Sequence, residues 1–155
     1  MSQKNGKQAI GKSRGRWNTK VHAVVAGSTH LKAFSLSGGG EPDAPLGRLL
    51  LETIGKLAVS VYLLMDKAYA DWKTRWTAWT LRFNPVVPPK SNTVGKWAHY
   101  EELYKRRNEI ERFFRRLKAF RAVFTRYDKL DSMFSATVLF ASIIILLRLR
   151  CVNTP

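Results

Sequence analysis

Val59-Ser60-Val61-Tyr62-Leu63-Leu64-Met65-Asp66 is the stretch on which the fold reading turns. VSVYLLM is a short, nearly continuous apolar run that stops at a carboxylate. The run is too short for a helix of ordinary length and lacks the alternation of a half-solvated strand. It predicts a strand buried on both faces, as in an α/β sheet. In open α/β sheets, ligand and catalytic groups sit just beyond the carboxyl ends of strands. Asp66 stands at that place. There it can hold a divalent metal on a rigid support, or it can cap the next helix. The run alone leaves both roles open.

Upstream, residues 17–25 alternate. Thr19, Val21, Ala23 and Val25 share one face, and Asn18, Lys20 and His22 the other, the period of a half-buried strand. Ala26-Gly27-Ser28-Thr29 reads as a turn and residues 31–36 as a second strand, giving a hairpin. Three glycines, Gly38-Gly39-Gly40, end it. Asp43 is placed to cap a helix over residues 44–56, with Pro45 tolerated in its first turn. Downstream, residues 67–81 read as a Trp-rich helix carrying Trp72, Trp76 and Trp79. Residues 84–89, NPVVPP, are a short strand at most, and their prolines suit an edge. A polar loop over 90–96 leads to one long helix over 98–125 and another over 131–149. The expected order is β-β-α-β-α-β-α-α, with no internal repeat and no linker to a second domain.

Composition bounds the function. The 155 residues suffice for one domain, and 45% apolar residues suffice for a core. A single cysteine, Cys151, excludes an internal disulfide framework and multi-cysteine zinc sites. A reducing cytosol is the simplest compartment. His22, His30 and His99 lie far apart and form no metal-ligand spacing. A formal net charge of +16 asks for a polyanionic partner, nucleic acid before an anionic membrane. No signal peptide follows the basic start of the chain. The uncharged run over 133–147 is shorter than the ~18–20 residues of a membrane span and reads as a buried core or interface helix.

The predicted helix over 98–125 carries a patterned stripe. Tyr104, Arg107, Glu111 and Lys118 fall within about 60° of arc at ~100° per residue. They border the apolar face made by Leu103, Ile110, Phe113, Phe114, Leu117 and Phe120. One acid among a Tyr, an Arg and a Lys on such a border is a way to present a metal-binding carboxylate to a phosphate-lined groove. A solvated face with i,i+4 ion pairs such as Arg107–Glu111 is the plainer reading. Residues 101–130 hold ten basic and five acidic side chains, an excess that fits phosphate neutralisation.

The spacing Tyr104-x2-Arg107-x3-Glu111-x6-Lys118 resembles the Y-R-E-K signature of DDE transposases from bacterial insertion sequences, most closely the insertion-sequence 5 group. Other blocks resemble the same family in order along nearly the whole chain. Asp66-Lys67-Ala68-Tyr69 is similar to its D-K-[GA]-Y block, and Arg14-Gly15 through Thr19-Lys20-Val21-His22 to its R-G-G-x-x-T-K-[IV]-H block. Ser37-Gly38-Gly39 with Asp43 resembles T-G-G-x-x-x-D. Residues 85–92, PVVPPKSN, resemble its P-V-I-P-P-[RK]-x-N loop. Residues 110–118 and 125–130 complete the run.

The resemblance implies an α/β, RNase H-like catalytic core and cutting and joining of transposon ends. It implies that Asp66 and Glu111 are the second and third acids of an Asp-Asp-Glu triad, both binding Mg2+ (or Mn2+). It assigns Tyr104, Arg107 and Lys118, with Arg115 and Arg121 nearby, to DNA phosphate. Its partners would be double-stranded DNA and the element's terminal inverted repeats, with a homo-oligomer when full length and no membrane. Its place would be the cytoplasm, at the nucleoid.

One part of the family pattern is missing. No acid occurs before Glu41, so the first catalytic Asp has no counterpart, and Asp43 matches a different block. The expectation is a core lacking its first strand, with C-terminal helices. Residues 1–16 form a basic arm or loop, 17–150 the partial catalytic domain and 151–155 a tail. The chain reads as the downstream product of a frameshifted transposase or as a decayed remnant. On either reading the isolated chain cleaves DNA little or not at all. A non-catalytic DNA-binding fragment that interferes with full-length transposase is the alternative.

Overall fold

The computed structural model describes residues 6, 8–13, 15–91 and 93–152, with side chains as far as 148. Residues 1–5, 7 and 14 of the expected basic arm, Asn92 and the last three residues of the tail lie outside the described residues. The chain divides into two compact units: Met1–Glu41 with Glu109–Pro155, and Pro42–Asn108. Each mixes sheet and helix.

In the first unit, β1 (Gly11–Ser13), β2 (Arg16–Ala26) and β3 (His30–Gly38) form an antiparallel sheet in that order. The hairpin is as expected, turning through Gly27 at φ +74°. β2 and β3 pair from Thr19↔Gly38 to Ala26↔His30, with a bulge between Val24 and Val25. β1 was not expected: residues 11–13 lie in the segment read as loop. Glycine makes it possible. A Cβ on Gly11 would stand 2.9 Å from the Gly38 Cα, so the two backbones approach only because neither residue has a side chain.

Val21, Ala23 and Val25 lie against a core of Phe113, Leu117, Val123, Phe134, Val138, Ala141 and Ile145. The opposite face of β2 departs from expectation. His22, read there as a polar-face residue, is buried, and its Nε2 meets Ser37 Oγ at 2.8 Å. The neighbouring serine supplies the polar partner that burial requires.

The helix expected over 98–125 is three helices: α3 (Glu101–Lys105), α4 (Asn108–Lys118) and α5 (Arg121–Thr125). The chain leaves helical geometry again at Arg126, in the left-handed region at φ +42°. The Arg126 guanidinium donates to Ala9 O at 3.0 Å, to Thr19 Oγ1 and to Asp131 Oδ1. Asp131 in turn accepts from Ala9 N at 2.6 Å. Irregular backbone here is held by side-chain bonds rather than a ladder. The last helix, α6 (Asp131–Val152), contributes the buried face Phe134, Val138, Ala141 and Ile145. By length and composition it is apolar enough to cross a membrane. Its other face leaves Leu139, Phe140, Ile143 and Leu147 exposed.

In the second unit, α1 (Asp43–Ile54) and α2 (Trp72–Thr80) accompany a parallel pair, β4 (Val61–Leu64) and β5 (Phe83–Val86). Asp43 is the first residue of α1 rather than its cap, since Pro42 takes that position. The helix expected over 67–81 is a 3-10 turn, Lys67–Tyr69, followed by α2. Asp71 divides them by capping α2 through its Oδ1 and the Thr74 N–H. The run over 59–65 is not buried on both faces. Met65 is buried, but Val61 and Tyr62 are exposed, because β4 has one neighbouring strand among the described residues.

Candidate functional site

Asp66 follows β4 after the buried Met65, as the sequence placed it. The geometry shows the capping role directly. Oδ1 accepts from the Ala68 N–H at 3.0 Å and so caps the 3-10 turn. Oδ2 takes a hydrogen bond from Arg107 Nη1 at 3.2 Å. The side chain keeps 52% of its surface exposed, so the carboxylate remains open to a ligand. The cap fixes its direction and the guanidinium balances its charge.

Arg107 lies between α3 and α4, with its guanidinium carbon 5.9 Å from the Tyr104 ring. The Tyr104 ring meets His99 edge-on at 5.9 Å. Asp66, Arg107 and Tyr104 are therefore one cluster of the second unit. The sequence placed Tyr104 and Arg107 on one helix with Glu111. The chain instead turns at Arg106 and Arg107, so no single stripe runs from Tyr104 to Lys118.

Glu111, Arg115 and Lys118 are exposed on α4 of the first unit, opposite the buried Phe113 and Leu117. Offsets of 4 and 7 place them within about 60° of one another. Arg121 is exposed at the start of α5.

Tyr69 was only part of a motif in the sequence reading. Burial, then the charges of Asp43 and Asp66, push its phenol up to about 12. It therefore stays neutral beside two carboxylates, a neighbourhood made by folding α1 against the turn after β4.

A hard divalent cation takes carboxylates, waters and phosphate oxygens. Asp66 has the right chemistry, but one carboxylate does not make a metal cage. Among the described residues no three His, Cys, Asp or Glu side chains gather.

A family model, the transposase DDE domain, matches residues 2–146, nearly the whole chain. The chain belongs to the DDE transposase family. Searches of the curated proteins and of the solved structures gave no significant match. Membership of this transposase family points to DNA transposition and to DNA as the partner, and such enzymes generally work with divalent metals. The mixed α/β architecture is consistent with it.

Proposed function

We propose that this chain is the C-terminal part of an RNase H-like DDE transposase of the insertion-sequence 5 type, acting in strand cleavage and strand transfer at element ends. The observation that carries the proposal is Asp66. A family match over residues 2–146 contains a half-exposed carboxylate held immediately beyond a strand. Asp66 and Glu111 supply two of the three acids that hold Mg2+ (or Mn2+). The third comes from outside residues 1–40, which contain no acid. Residues 17–150 form the partial catalytic domain. The assembled protein works as a homo-oligomer on terminal inverted repeats in the cytoplasm, at the nucleoid.

The chain's own residues do the positioning. The cap from Ala68 N–H aims Asp66. Arg107 offers a planar fork that suits phosphate as well as carboxylate, so incoming DNA can take over the guanidinium and free Asp66. Tyr104 packs beside that guanidinium. Lys118 and Arg115, with Arg121, present positive charge on and after α4.

A second reading is a DNA-binding fragment without catalysis. It is favoured by the Arg107–Asp66 pair, which engages one oxygen of the carboxylate. Glu111→Gln and Asp66→Asn, made in the complete transposase reading frame, separate the two. Both variants abolish transposition and retain end binding under the first reading. Unchanged transposition by either variant sinks it.

A further inference from the structure

Arg75 lies on α2 with 7% of its surface exposed. Its guanidinium carbon is 4.0 Å from the centroid of Trp97, 4.7 Å from Trp79 and 5.8 Å from Trp72. No carboxylate balances it: none of the ion pairs among the described residues involves Arg75. Its Nε is buried without a hydrogen-bond partner. Burial holds its pKa below the usual guanidinium range. It remains a cation at neutral pH.

A buried charge without a counter-ion is costly unless something else holds it. The three indole faces stabilise the cation, but they offer no oxygen to its in-plane N–H groups. The structure thus keeps a largely buried arginine whose Nε donor is unspent. That is the state of an anion-binding arginine before its ligand arrives.

The guanidinium lines a cleft of about 490 Å³. The same cleft is walled by Trp72 and Trp97 and bordered by Thr93 and Lys96. Its one acid, Asp71, is already engaged, with Oδ2 3.1 Å from Arg48 Nη1 and Oδ1 on the Thr74 N–H. Two cations, a hydroxyl and a neutralised acid favour an anionic ligand. The cleft is far larger than a phosphate alone, and the exposed Trp72 gives it an apolar wall.

We propose that this cleft binds a phosphate group of DNA, with Arg75 as its buried donor and Lys96 as its rim charge. It lies apart from Asp66 in role, as a grip on substrate rather than a metal carboxylate. The proposal rests on the DNA reading above. The phosphate chemistry would equally serve a free phosphate, so the test has two arms.

The test titrates the full chain with a short DNA duplex and with inorganic phosphate, following tryptophan fluorescence. Trp72, Trp79 and Trp97 surround Arg75, so occupancy changes their emission. Arg75→Met keeps an apolar stem among the indoles and removes the donors. It is expected to weaken duplex binding about tenfold and to lower the slope of log affinity against log salt by about one. Lys96→Ala, at an exposed position, is expected to lower the slope likewise and carries the test if Arg75→Met does not fold. Folded variants that bind duplex with unchanged affinity and salt slope overturn the proposal. Inorganic phosphate that saturates the cleft and is not displaced by DNA overturns the DNA source. A chain that binds phosphate here but no DNA at all overturns the DNA reading above and leaves the cleft as a phosphate site.

Discussion

Asp71 shows how much rests on one carboxylate. It caps α2, and it pairs with Arg48, whose Nη1 also donates to Thr74 Oγ1 at 3.0 Å. Burial works against its charge, but the Thr74 hydrogen bonds and the Arg48 guanidinium outweigh it and hold the carboxyl below the usual range. A depressed folded pKa gives stability that is present above the unfolded value, about 4, and lost as pH falls through the folded one. Asp71→Ala is therefore expected to cost about 1 kcal/mol at neutral pH from the cap alone. It should also flatten the fall of melting temperature below about pH 4. Thermal unfolding of both proteins across that range checks it; parallel curves would show that Asp71 contributes no linkage. The sequence made Asp66 legible because a strand end is a position, readable from a run of neighbours. It did not reveal Asp71 as the partner of Arg48 or Arg75 as a caged cation. Their partners, Arg48 and Trp97, are more than twenty residues away along the chain, and only folding brings them in.

At the scale of elements, strands were easier to read than helix ends. β2 and β3 declare themselves by alternation and a glycine turn. The helix over 98–125 offered no such mark, since residues 98–125 contain neither Gly nor Pro. Its interruptions come from packing. Arg107 leaves the helical path where its side chain meets Asp66, and Phe120 ends α4's path where it joins the core of the first unit. Helix α1 holds the converse case, a glycine inside a helix that composition alone would replace. Alanine is worth about 1 kcal/mol over glycine in a helix interior. Yet a Cβ on Gly47 would stand 2.5 Å from Tyr69 Cδ1, so the ring must move. Gly47→Ala is expected to lower stability by about 1–3 kcal/mol despite its helix propensity. Urea unfolding measures this directly, and a raised midpoint would mean that Tyr69 swings aside freely.

For the whole molecule, the chief misreading of the sequence concerns β4. An apolar run burying both faces needs a neighbour on each edge and cover above and below. Among the described residues β4 pairs only with β5, and a two-stranded sheet is marginal without further support. Val61 is 39% exposed and Tyr62 56%. The composition of β4 thus suits a more covered strand than the one observed, and among the described residues no strand pairs with its second edge. Open apolar edges recruit further strands, including those of other copies, and a lysine placed in such a strand opposes this. The net charge of +16 resists association but does not cover the edge. The expected outcome is self-association of the wild-type chain that grows with salt, because screening weakens the repulsion between copies. Val61→Lys should reduce that association at every salt concentration while leaving the hairpin of the first unit intact. Light scattering and circular dichroism of the two proteins over a salt series would show it. Equal scattering by both would place the association elsewhere, with the exposed face of α6 as the next surface to change.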